Sequence, residues 1–68
     1  MEFLLVAYAG DRDVTIDGSV SGITNHLITL APGTYVVSLA GAADFSPPRR
    51  TVVVDGTSPL DPMKVTFA

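Results

Sequence analysis

Three aspartates, Asp11, Asp13 and Asp17, stand close enough in the chain to raise the question of a calcium ion. A helix-flanked calcium loop starting at Asp11 needs glycine at its sixth position and a glutamate closing it at the twelfth. Ile16 occupies the first of these places, and no glutamate follows at the required distance. The aspartates are therefore expected at turns, where short carboxylates hydrogen-bond nearby backbone amides. Gly18-Ser19-Val20-Ser21-Gly22 has the outline of a nucleophile elbow, but its centre is Val20 and its setting is a hairpin instead of a strand-to-helix turn. His26 is the one histidine and there is no cysteine. It could act as a base or a pH-sensitive contact, yet a lone histidine at a strand start reads as a solvated surface residue. A zinc site lacks ligands for the same reason. Arg49 and Arg50 follow Pro47-Pro48, with Phe45 just before them. Such a pair could hold a carboxylate, a sugar or an acidic segment. Its expected role is to solubilise an edge beside the apolar Thr51-Val52-Val53-Val54 run. No catalytic residue, metal or cofactor is expected, and the chain is read as a non-enzyme.

The elements that would position any site follow from size and composition. Sixty-eight residues form one domain, near the lower limit for folding without disulfide, metal or partner. Charged residues make up 16%, against about 25% in ordinary globular domains, while 47% are hydrophobic. So small a domain has much surface to cover, and this balance points to part of it meeting another chain. A net charge of −3 with only four basic residues excludes nucleic acid as a natural partner. The longest apolar run, Phe3 to Ala9, is too short to span a bilayer, and Glu2 stands where a signal peptide would carry positive charge.

Met1 to Ala9 reads as a strand with apolar residues on both faces: Phe3, Leu5 and Ala7 on one, Leu4, Val6 and Tyr8 on the other. Val14 and Ile16 share a face of the next strand, which ends at Asp17-Gly18, a tight-hairpin signal. Ser19 to Ser21 returns and is expected to end at Gly22. A strand from His26 to Leu30 follows, then a hairpin corner at Ala31-Pro32-Gly33. Thr34 to Ala40 runs back with Tyr35, Val37 and Leu39 inward. Residues 42–50 form a loop, Thr51 to Val54 a strand, and Met63 to Phe67 the last. Six to seven short strands with frequent turn signals and no helical period predict an all-β fold, a small antiparallel, Greek-key-like β-sandwich.

The segments DVTIDGSVSGITNHLITLAPGTYVVSLAG and RRTVVVDG resemble the PEGA domain family. The resemblance covers about residues 13–67: an Asp17-Gly18 hairpin, the Gly22 to Asn25 link, the strand to Leu30, the Pro32-Gly33 corner, the strand with Tyr35, and Thr51 to Val54. Ala31-Pro32-Gly33-Thr34 stands where the family has its naming tetrad, and Met1–Ala9 precedes the matched region. The resemblance implies a small β-sandwich of prokaryotic surface or envelope proteins, an extracytoplasmic setting, and no catalytic residues to carry over.

Residues 1–68 are thus expected to form a single PEGA-like domain in which residues 1–9 add an N-terminal strand that pairs with a neighbouring chain. The function expected is that of a structural, protein-interaction module that self-associates as an oligomer or filament subunit. The contact is expected through Phe3, Leu4, Leu5, Val6 and Tyr8 added to a neighbour's sheet edge. The alternative is an accessory module for carbohydrate or cell wall, with Tyr8, Tyr35 or Phe45 as platform.

Overall fold

A computed structural model describes all of residues 1–68. The all-β expectation holds, with seven strands and no helix: β1 Glu2–Ala7, β2 Asp13–Ile16, β3 Ser19–Ile23, β4 Leu27–Leu30, β5 Gly33–Leu39, β6 Arg50–Val54 and β7 Met63–Thr66. They form a three-stranded sheet, β4-β1-β7, and a four-stranded sheet, β3-β2-β5-β6. No helix is long and apolar enough to cross a membrane.

Alternation decides which side chains face the space between the sheets. Leu4, Val6, Ile28, Val65 and Phe67 come from one side; Val14, Ile16, Val37, Leu39, Val52 and Val54 from the other. Each such side chain, taken out of water, stabilises the fold by about 1.5–3 kcal/mol. Tyr8, Leu30, Tyr35, Phe45 and Met63 pack around the margin. Valine dominates because a β-branched side chain packs well on a pleated surface and fills a thin interior.

Asp17 and Gly18 form the tight hairpin as expected, with φ of 52° and 86°. The turn is tied to β5: the Asp17 N–H donates to the Val36 carbonyl at 2.8 Å, and the Val36 N–H donates to Asp17 Oδ1 at 2.9 Å. The strand β3 runs one residue past the expected stop at Gly22, and its pairing with β2 carries a bulge at Val14/Thr15. Gly22 survives inside β3 because β4 passes close beneath. A Cβ there would sit 2.6 Å from Ile28 Cγ1.

Two expectations need correction. The Ala31-Pro32-Gly33 corner is not a hairpin: β4 pairs with β1 and β5 with β2 and β6, so the corner carries the chain from one sheet to the other. Proline fits that role, since a residue without an N–H costs nothing where no ladder runs. Nor is the N-terminal strand an addition that waits for a neighbour. It is the middle of its sheet, antiparallel to β4 and parallel to β7. That parallel pair is also a departure from a wholly antiparallel sandwich. Turn signals mark where a chain reverses; they carry no information on which sheet receives it.

Candidate interaction surfaces

The sequence-predicted contact residues divide by face. Leu4 and Val6 are fully buried in the chain's own core, so they cannot serve as contacts, and both backbone edges of β1 are taken by β4 and β7. Strand addition through β1 is therefore ruled out by its own ladder. Tyr8 is half-buried beside the Arg12 guanidinium, whose Cζ stands 5.8 Å from the ring centre. Phe3 and Leu5 remain, half-buried on the outer face of the three-stranded sheet.

Around Leu5 that face forms an open groove of about 530 Å³. Leu27 sits opposite Leu5 in the β1–β4 register, and Lys64 on its other side. The β6–β7 connection supplies Pro59, Leu60 and Pro62. Leu60 is 98% exposed. The two prolines and the Ser58–Asp61 bridge hold this connection in a compact turn. Sequence reading overlooked Leu60, because a leucine between prolines in a loop has no periodicity to flag it. The outer face of the four-stranded sheet is also apolar: Val20, Ile23, Val36 and Val53 are exposed among threonines.

The candidate chemistry does not gather. Asp11, Asp13 and Asp17 are exposed, His26 is exposed in the β3–β4 turn, and no three His, Asp or Glu side chains converge. Arg49 and Arg50 are exposed at the start of β6. Phe45 serves a different arginine. Its ring meets Phe67 edge-on at 5.6 Å and lies 5.1 Å from Arg12 Cζ.

Arg12 is a fastening point that its position in a turn did not disclose. Its Nε donates to the Ala40 carbonyl at 2.6 Å, Nη1 to Asp44 Oδ1 at 2.5 Å, and Nη2 to the Ala42 carbonyl. Its backbone N–H donates to Thr24 Oγ1 at 2.8 Å, and Thr24 Oγ1 donates to the Gly10 carbonyl at 2.7 Å. Thr24, the one buried polar residue, is thereby satisfied. The ion pair raises the Arg12 pKa and lowers that of Asp44, in both cases chiefly through the hydrogen bond between them. With these donors spent on backbone carbonyls and Asp44, the guanidinium acts as a clamp between the β1–β2 turn and the loop after β5. At the far end, Glu2 Oε1 accepts from Thr57 Oγ1 at 2.7 Å and from the Thr57 N–H at 2.8 Å. These bonds hold its carboxyl below the usual glutamate value.

Comparison of the chain with protein-family models, with curated proteins and with solved structures finds no match in any of the three.

Proposed function

We propose that this chain is a non-enzymatic structural module that associates with copies of itself. The observation that carries the reading is apolar exposure on both outer faces: Leu60, Leu27 and the Leu5 groove on one sheet, Val20, Ile23, Val36 and Val53 on the other. Exposed apolar side chains on both faces of so small a domain favour a protein contact. Low charge agrees with it, since 16% charged residues leave few side chains to keep such faces apart. The PEGA-like pattern adds an extracytoplasmic or cell-surface setting to the reading.

Light scattering coupled to gel filtration, over a dilution series of the full chain, tests it. A species larger than 7.1 kDa that dissociates on dilution is expected. A monomer at every concentration overturns the proposal.

A further inference from the structure

Resting on that reading, we infer that the contact is a two-fold, antiparallel pairing of β6 with β6 of a second copy, centred on Val52. Val36 exchanges its hydrogen bonds with Asp17, and the Ala40 N–H donates to the Asp13 carbonyl at 2.9 Å. The even-numbered residues of β5 therefore face β2, and Tyr35 and Val37 face β6. Opposed pairs alternate in an antiparallel ladder, so Arg50, Val52 and Val54 spend their backbone groups on β5. Thr51 and Val53 aim theirs at the open edge, where nothing in the chain meets them.

Arg49 and Arg50 guard only the start of this edge; beyond them it lacks the protection that sheets ordinarily carry. Its Thr51-Val52-Val53-Val54 run has no charge, no proline and no bulge, and Val53 is 65% exposed. The opposite edge, β3, is bulged where it pairs with β2; β7 carries Lys64; β4 has only four residues.

The occupant is read from self-complementarity. Pairing centred on Val52 sets Thr51 against Val53 of the second copy, and Val53 against its Thr51. All four free groups at each edge are used, and inner faces stay continuous with inner faces. The same register sets Arg49 against Asp55 at each end, two opposite-charge pairs just outside the strands. The only ion pair within the chain is Arg12–Asp44, so Arg49 and Asp55 are free to make them. Sliding the register by two residues loses this match, setting Arg49 against Val53 in one direction and Asp55 against Thr51 in the other. A second copy thus satisfies backbone and charge at once, and yields a continuous eight-stranded sheet.

Sedimentation equilibrium on the full chain and three variants tests it, with circular dichroism as the folding control. Arg49→Asp turns two attractive pairs into two repulsive ones and is expected to weaken the dimer about tenfold. Adding Asp55→Arg to it restores the affinity. Val53→Lys places a lysine on the edge and is expected to leave a folded monomer. If the native chain dimerises and neither Val53→Lys nor Arg49→Asp changes the affinity, the β6 edge is refuted while self-association stands. If Arg49→Asp weakens the dimer and Asp55→Arg fails to restore it, the register is refuted. A native chain that stays monomeric refutes both the edge and the reading on which it rests.

Discussion

Replacing Gly22 by alanine puts a methyl group 2.6 Å from Ile28 Cγ1 and 2.7 Å from its Cδ1, where about 4 Å is comfortable. Rotation about the Cβ–Cγ1 bond of Ile28 moves Cδ1 but leaves Cγ1 in place. Relief therefore needs a new χ1 rotamer for a β-branched residue buried in the core, or a shift of β3 away from β4. Overpacking of this kind costs about 1–3 kcal/mol. Gly22 has no left-handed φ, so alanine also gains about 0.4–1 kcal/mol by restricting the unfolded chain. The difference leaves a net loss of about 0–2.5 kcal/mol, or up to about 10–20 °C in Tm for a domain of this size. Urea titration of a double-mutant cycle with Ile28→Ala isolates the contact, because that truncation removes both clashing atoms. Ile28→Ala alone costs about 2–5 kcal/mol, so the cycle is run with trimethylamine oxide added to all four proteins. In the Ile28→Ala background, Gly22→Ala is expected to be neutral or stabilising. Additive losses, with a coupling below about 0.5 kcal/mol, would refute the reasoning and mean that Ile28 does not hold the sheets at their spacing.

Two further outcomes follow from the polar contacts. Glu2 and Asp44 both have lowered pKa values, from ordinary values of 4.5 and 3.8. The stability they contribute is thus present above the unfolded-state pKa and is lost as pH falls through the folded one. The urea midpoint should fall on acidification below about pH 5, and less steeply in the Glu2→Gln/Asp44→Asn variant; identical acid slopes would contradict this. Arg12→Lys keeps the charge but cannot reach Ala40, Ala42 and Asp44 together. Amide exchange at Ala40 and Ser46 should accelerate by about tenfold, and unchanged rates would show that the loop holds without the guanidinium.

Strand positions and inward faces were legible in the chain because alternation and turn chemistry are local. Asp17-Gly18 announces its own backbone, and Val14, Ile16, Val37 and Leu39 fall on the expected face. Partner choice was not legible. The order β4-β1-β7 depends on which strand closes over which after the sheets stack, and no residue in Met1–Ala9 reports it. Its two apolar faces were read as a strand awaiting a second cover, whereas the outer face remains half-open beside Leu60. An edge beside Thr51–Val54 was expected from Arg49 and Arg50, and β6 is one; the run itself would serve equally as an interior strand, and only β5 on one side with nothing on the other makes it an edge. Arg12 escaped notice because its carbonyl partners at Ala40 and Ala42 are backbone groups, which any residue could have supplied.

The parallel β1–β7 pair has a mechanical consequence. Leu4 to Ala7 lies alongside Met63 to Thr66, running the same way, so residue 1 leaves from one end of this pair and residue 68 from the other. Tension drawn between those two ends would slide β1 and β7 lengthwise past each other. Their hydrogen bonds then share the load and must rupture together, instead of opening one at a time as when a hairpin is peeled from its turn. Resistance to such a pull is set by the unfolding barrier rather than by equilibrium stability. A small domain held by this shear pair can be modest in thermodynamic terms and still a firm link under force.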